Sequence, residues 1–211
     1  MQVMIKKQQG FTLIELAIVL VIIGLLLGGV LKGQELINSA KVKNFANDFR
    51  NVPVYIYGYQ DKFKALPGDD LAAVAHVNAA ATEKGNGNGK IDGAWNSTTT
   101  TDESVLFWLH VRKAGLAPGA TNTTDGSFYP TNSEGGRMGV SSIVPITNLS
   151  GQYFMCSKGI AGKFAKQLDT TMDNGTSDGG SMQALDESTS GSTTAATSFN
   201  DSNVYTVCMG F

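Results

Sequence analysis

The sequence predicts an α+β protein in which a long N-terminal helix, apolar in its first half, packs its second half against an antiparallel β-sheet domain. Residues 11–31 form an apolar run with one charged side chain, and an apolar stripe at helical spacing follows it. The rest of the chain is rich in Gly, Ser, Thr and Asn, and several of its short segments have the composition of strands. This order of elements favours one long helix and a smaller mixed domain.

Chain length and net charge limit the classes of function that this protein can have. The 211 residues are enough to bury a core without help from a metal ion. The formal charge of -2 comes from 16 basic and 18 acidic side chains, so the chain lacks the basic surface typical of nucleic-acid binding. We therefore expect no specific nucleic-acid partner.

The apolar run at 11–31 is long enough to cross a bilayer, since about 20 helical residues span the hydrocarbon. A secretory signal peptide and a simple signal anchor are the two plain alternatives. No A-x-A-like cleavage site follows the run, which argues against the signal peptide. Glu15 argues against a simple anchor, because a carboxylate in an apolar span costs about 3 kcal/mol on insertion scales.

The heptapeptide GFTLIEL at 10–16, behind a leader that contains Lys6 and Lys7, resembles the processing site of type IV pilins and of type II secretion pseudopilins. The resemblance implies a pilin-like fold and cleavage by a prepilin peptidase between Gly10 and Phe11. It also implies methylation of the new amino terminus at Phe11. Lys6 and Lys7 leave with the leader.

The role of Glu15 follows from this processing. Cleavage creates a cationic amine at Phe11, about 6 Å along the helix axis from Glu15, so the pair is able to close within one chain. The resemblance implies instead that Glu15 neutralises the amine of a neighbouring subunit and sets the subunit register in a filament. The pair within one chain and the pair between subunits both avoid a lone buried charge. The sequence alone does not distinguish the two.

The helix is predicted to continue well beyond the apolar run. Its apolar stripe, at intervals of three and four, consists of Val42, Phe45, Phe49, Val52, Ile56, Tyr59 and Phe63. The stripe suits packing on the chain's own domain or a coiled-coil seam, and we favour the former because the run is short for a coiled coil. Pro53 predicts a bend rather than an end.

Glycines at 24, 28, 29 and 33 soften the middle of the helix. Gly24 and Gly28 form a G-x-x-x-G pair suited to close helix packing in a membrane. In pilus filaments of the resembling family this stretch can lose helicity on assembly. Members of that family often carry a proline here, whereas this chain has Leu31, Lys32 and Gly33.

A Pro-Gly turn at 67–68 is predicted to end the helix, with the adjacent Asp69 and Asp70 solvated. Two short helices are predicted after it, at 71–81 and at 103–114. The second has Asp102 as its candidate cap and Gly115 at its end.

The segment Gly85–Asp92 alternates glycine with oxygen-bearing side chains, as calcium loops do. Asn86, Asn88 and Asp92 are the candidate ligands of a structural calcium ion. Lys84 and Trp95 stand where an EF-hand-like loop has acids, so a plain glycine turn is the favoured interpretation. No other cofactor is expected.

Four segments are predicted as strands and one as a helix. The strands are 137–145, 151–156, 181–185 and 203–208, and the helix is 159–172. The stretch 167–180 and the helix at 103–116 also resemble parts of some pilins.

Cys156 and Cys208 are the only cysteines. An even pair in an exported segment predicts one disulfide, with a free buried pair as the alternative. The resemblance agrees with the disulfide, because many type IV pilins close a C-terminal loop in this way. Major pseudopilins usually do not, which favours a pilus.

No nucleophile elbow, zinc-protease, CxxC or phosphate-loop motif is present, and His76 and His110 are the only histidines. An enzyme is therefore not expected.

The predicted organisation is a leader at 1–10, removed on maturation, a transmembrane and filament-core half-helix at 11–35, an amphipathic half at 36–66, and a globular head with a C-terminal disulfide loop at 67–211. The resemblance implies a type IV pilus subunit, major or minor, for motility, adhesion or DNA uptake. A pseudopilin, or a monomeric membrane-anchored binding protein, is the alternative.

The resemblance also implies where the chain resides and what it meets. The partners are other pilins, the prepilin peptidase and an inner-membrane assembly machine. The precursor is expected in the inner membrane, and the mature subunit in an extracellular fibre.

Overall fold

The computed structural model describes residues 10–211 and has an α+β fold. Its helices are α1 Leu13–Phe63, α2 Ala73–Val77, α3 Glu103–Lys113 and α4 Gly162–Met172. Its strands are β1 Met138–Ser141, β2 Phe154–Ala161, β3 Met182–Asp186 and β4 Val204–Gly210. The predictions for the leader at residues 1–9, including Lys6 and Lys7, lie outside the described residues.

The chain divides into two compact units at Ala40 and Lys41. In the first unit, the side chains of α1 form an exposed apolar surface on every side of the helix, with Leu13 88% and Leu25 73% exposed. By length and composition, this helix is able to cross a membrane. The second unit contains the core, the sheet and the disulfide.

In the second unit, α1 supplies the centre of the core. The predicted stripe is buried from Val42 to Tyr59, and Phe63 is partly buried against the same cluster. The stripe therefore packs on the chain's own domain, as predicted, and not in a coiled coil. Pro53 lies inside the helix without ending it. The helix ends before Gly68, whose φ of +90° would strain a side chain and whose Cβ would lie 2.5 Å from the Glu103 carbonyl oxygen.

The four strands form one antiparallel sheet in the order β1-β2-β4-β3. Along β2, alternate side chains point to opposite faces. Met155 joins the main core with α1, whereas Phe154 and Cys156 join a smaller cluster with Ile146 and Leu149. Because both faces are covered, the first four residues of β2 are all buried.

The strand predictions are confirmed in place, with shifts of a few residues at their ends. Two helix predictions are wrong in extent. The predicted helix at 71–81 is reduced to the five residues of α2, which ends at Asn78 in a left-handed conformation. The predicted helix at 159–172 begins at Gly162, because β2 continues through Ala161 and pairs there with Val204.

One expectation about acidic residues is also wrong, and another is confirmed in position only. Asp69 and Asp70 were expected in solvent, but they are only 4% and 2% exposed because each has hydrogen-bond donors inside the fold. Asp102 is the N-cap residue of α3, as predicted, and its backbone is extended, but it makes no side-chain capping bond, since its carboxylate accepts the Ser97 hydroxyl instead.

Candidate functional site

Three hydrogen bonds between Thr12 and Glu15 cap the start of α1. The Thr12 backbone N–H and hydroxyl both donate to Glu15 Oε2, each at 2.8 Å. The Glu15 backbone N–H donates to Thr12 Oγ1 at 3.3 Å. This is a capping box, which satisfies backbone donors that a helix start leaves free. Glu15 therefore has a partner inside its own chain.

The Gly10–Phe11 bond lies just before this capping box. Both residues precede the first helical residue, and both are exposed, Phe11 to 82%. A Cβ placed on Gly10 would meet nothing within 4 Å. Folding of the described chain does not require a glycine at position 10.

The glycines of the first unit also have open space where a side chain would begin. A Cβ on Gly24, Gly28, Gly29 or Gly33 would meet nothing within 4 Å. Each glycine costs about 1 kcal/mol relative to alanine in a helix interior. The packing of a single chain offers no compensation for that cost.

Cys156 and Cys208 form a disulfide between β2 and β4, where they are direct partners in the strand register. Both are fully buried in the smaller cluster. The bond closes a loop with a sequence separation of 52 residues. That loop contains α4 and β3.

The Gly85–Asp92 segment is organised by two buried carboxylates from outside it. Asp69 accepts the backbone N–H groups of Gly87, Asn88 and Gly89 at 2.6–3.0 Å. Glu103, at the start of α3, accepts those of Asn86 and Asp92 at 2.8 and 2.9 Å. Burial, followed by the nearby charges of Asp69 and Asp92, raises the pKa of Glu103 although both hydrogen bonds oppose the shift. These carboxylates make the loop part of the folded core.

The three candidate calcium ligands come together in this loop. Asp92 Oδ2 accepts the side-chain amides of Asn86 at 3.1 Å and Asn88 at 2.7 Å. The amide oxygens of both asparagines accept backbone N–H groups of the same loop. Among residues 10–211, no group of three or more His, Cys, Asp or Glu side chains is placed to hold a metal ion. The calcium site stays a prediction.

The two histidines take part in structural hydrogen bonds. His110 is fully buried, with Gly68 N–H donating to its Nδ1 at 3.0 Å and its Nε2 2.8 Å from the Glu83 carbonyl oxygen. Since Nδ1 accepts, Nε2 carries the proton and donates. Burial lowers the pKa of His110, which favours this neutral form. His76 Nδ1 lies 2.8 Å from Asp70 Oδ2.

A comparison with known families decides what the helix start represents. Residues 5–31 match the family model described as the prokaryotic N-terminal methylation motif. The chain carries the type IV pilin and prepilin signature. No curated protein and no solved structure matches the chain significantly. The motif therefore supports a pilin-like or pseudopilin protein, and that family of proteins is structural rather than enzymatic.

Sequence reasoning singled out Glu15 but missed Thr12 as its partner, although T-x-x-E before an apolar run is the readable signature of a capping box. It also missed Asp69 and Glu103 as the organisers of the 85–92 loop. No local signal links these two to the loop, because the contacts join residues 11 to 20 positions apart.

Proposed function

We propose that this chain is a structural subunit of a type IV pilus, major or minor, that polymerises through its N-terminal apolar helix into an extracellular filament. The observation that carries the proposal is the methylation motif at the start of a helix that exposes apolar side chains on every side. A helix that is apolar all round requires a non-aqueous environment. A bilayer supplies it for the precursor, and neighbouring helices supply it in the fibre.

The capping box leaves room for an intermolecular partner. Both Thr12 donors use Glu15 Oε2, and Oε1 makes no hydrogen bond with the described residues. After cleavage, the amine of Phe11 on a neighbouring subunit is a cation suited to this second oxygen. Such a pair offsets the cost of a carboxylate in an apolar layer. The capping box and the subunit contact are therefore compatible.

Gly24, Gly28, Gly29 and Gly33 also support polymerisation. They have no packing role within the chain, and small residues allow helix backbones to approach closely in apolar surroundings. Close packing of α1 against other copies of α1 would compensate for their cost.

The disulfide supports a pilus rather than a secretion pseudopilus. Its position, between β2 and β4 near the end of the chain, agrees with the C-terminal loop of many type IV pilins in the resembling family. A pseudopilin is the second candidate, since it shares the processing motif.

The proposed route begins with a precursor in the inner membrane, with the Lys6 and Lys7 side on the cytoplasmic face. A prepilin peptidase then cuts after Gly10 and methylates Phe11. An assembly machine extracts the subunit, the disulfide forms outside the cytosol, and the fibre serves motility, adhesion or DNA uptake. No catalytic role is proposed for the head.

The first experiment compares Glu15→Ala with the matched control Glu35→Ala. Glu35 lies on the same helix, is exposed and pairs with Lys32 at 2.7 Å. We expect both variants to insert in the membrane, but only Glu15→Ala to be missing from fibres sheared off the cell surface. Equal recovery of Glu15→Ala and the unaltered chain in that fraction would contradict the proposal.

The second experiment tests processing with Gly10→Val, and Gly33→Ala is the control. Because a Cβ on Gly10 meets nothing in the folded chain, any loss of cleavage reports on recognition by the peptidase. We expect Gly10→Val to keep its leader and Gly33→Ala to lose it, as measured by intact mass. A mature mass for Gly10→Val would exclude the assigned cleavage site.

A further inference from the structure

A cleft of about 400 Å³ opens within the second unit. Its lining comes from one face of α1, from α3, and from the loop between α3 and β1. This volume lies in the range of small-molecule sites in proteins. None of the residues singled out for processing, subunit contact or the disulfide lines it.

No contact among the described residues explains why the Asp48 carboxylate is placed in this cleft. The carboxylate is half-buried and has no hydrogen bond or ion pair with the described residues. Burial alone raises the pKa of Asp48 to about 6, so the group is mostly ionised at neutral pH. A partly desolvated carboxylate without a partner destabilises the folded chain. A hydrogen-bond donor from outside the chain would offset this cost.

Arg112 places a fixed cation in the same cleft. Its Nε donates to the Pro118 carbonyl, and its Nη1 donates to the carbonyls of Ala120 and Phe128. These bonds hold the guanidinium in one position and leave its Nη2 without an acceptor among the described residues. The cleft therefore offers one anionic acceptor and one cationic donor.

Three aromatic side chains complete the lining. Tyr55 and Tyr129 are half-buried, and Tyr55 lies close enough to Asp48 and Arg112 for both charges to affect its pKa, which burial raises. The Tyr55 hydroxyl makes no hydrogen bond with the described residues. Trp108 is buried, and its indole N–H also lacks an acceptor there. The Arg137 guanidinium lies over one face of the Tyr129 ring, 3.8 Å from its centroid, so the cleft can use only the other face of that ring together with Tyr55.

We propose that this cleft binds a neutral carbohydrate, with Asp48 as the acceptor for its hydroxyl groups. A hydroxyl both donates and accepts, so the hydroxyls of one sugar are able to donate to Asp48 and to accept from Arg112. The C–H face of the ring suits the aromatic surface. A cationic ligand would be attracted by Asp48 but repelled by Arg112, and an anionic ligand the reverse, so neither gains a net attraction from the two charges, and a neutral ligand avoids both repulsions. The site is independent of whether the chain polymerises.

The test uses the full-length chain in a sugar-free detergent and saturation-transfer NMR. The probes are the methyl glycosides of glucose, galactose and N-acetylglucosamine, with putrescine and citrate as the cationic and anionic comparisons. We expect at least one glycoside to bind with a Kd of about 1 mM, the scale set by the small size of the ligand. Binding of no glycoside, or of putrescine or citrate instead, would overturn the proposal.

Variants of two cleft residues test whether the glycoside binds in the cleft. Asp48→Ala and Tyr55→Ala are expected to weaken glycoside binding by about tenfold or more, because each removes a partner of the sugar. Asp61→Ala is the matched control, since Asp61 is a carboxylate on the same helix whose side chain is 92% exposed. Asp48→Asn keeps the side-chain shape and serves if Asp48→Ala does not fold. If a folded Asp48 variant binds the glycoside with unchanged affinity, the assignment of the binding site to this cleft is wrong.

Discussion

Tyr59, fully buried on α1, donates its hydroxyl to Asp70 Oδ2 at 2.7 Å. The same carboxylate accepts the Ala72 backbone N–H at 2.8 Å and lies against His76. These bonds lower the pKa of Asp70 although burial opposes them. The long helix and the segment that follows it are thus joined by one buried acid.

Tyr59→Phe tests this junction. Removing the hydroxyl leaves the buried Asp70 with one donor fewer, so we expect the free energy of unfolding to fall by about 1–3 kcal/mol. Urea denaturation measures the loss. Tyr57→Phe is the control, because Tyr57 is 63% exposed on the same helix and should change stability little. Equal stability of the two variants would show that the buried bond contributes nothing.

The disulfide is expected to stabilise the second unit. On the chain-entropy model, closing a loop with this sequence separation of 52 contributes about 4 kcal/mol. We expect Cys156→Ala/Cys208→Ala to unfold at lower urea concentration by a corresponding amount. A reducing agent should shift the unaltered chain in the same direction and leave the double variant unchanged. A shift of the double variant on reduction would contradict this assignment.

Asp169 gives the chain an unusual pH dependence. It is fully buried, its Oδ2 has no partner among the described residues, and burial raises its pKa to about 6, helped by the nearby charge of Asp173. The folded state therefore binds a proton more tightly than the unfolded state. The resulting stability is fully present below the unfolded pKa of about 4 and is lost as pH rises through about 6.

Asp169→Asn isolates this contribution. Between pH 7 and pH 4, we expect the unaltered chain to gain about 1–3 kcal/mol relative to Asp169→Asn. Urea titrations at several pH values measure the difference. The control is Asp178→Asn, which changes an aspartate in the loop that follows α4. Parallel pH profiles for the unaltered chain and Asp169→Asn would exclude Asp169 as the group responsible.

The capping box predicts a local effect at the start of α1. Thr12→Val keeps the side-chain shape but removes the hydroxyl that bonds both Glu15 groups. We expect faster amide hydrogen exchange over the first turn, corresponding to a loss of about 1 kcal/mol. Thr12→Ser retains the hydroxyl and should exchange like the unaltered chain. No difference between Val and Ser at this position would mean that the cap does not hold the helix start.

Local features of the sequence were sufficient for α1, for the stripe from Val42 to Tyr59 and for the methylation motif. Each depends on residues within a few turns of one helix, where spacing alone sets the face. The bounds of the strands were less readable because β2 is covered on both faces, so its first residues do not alternate between apolar and polar.

Tertiary contacts decided the rest. Asp69 and Asp70 have the sequence context of a solvated turn, and only the fold brings Gly87, Tyr59 and His76 to them as partners. The cleft around Asp48 and Arg112 likewise joins side chains 64 positions apart. A hydrogen-bond partner from a distant part of the chain leaves no local pattern, so burial of a polar group is decided by packing. The apolar helix, in contrast, needs only its own composition to require a non-aqueous environment.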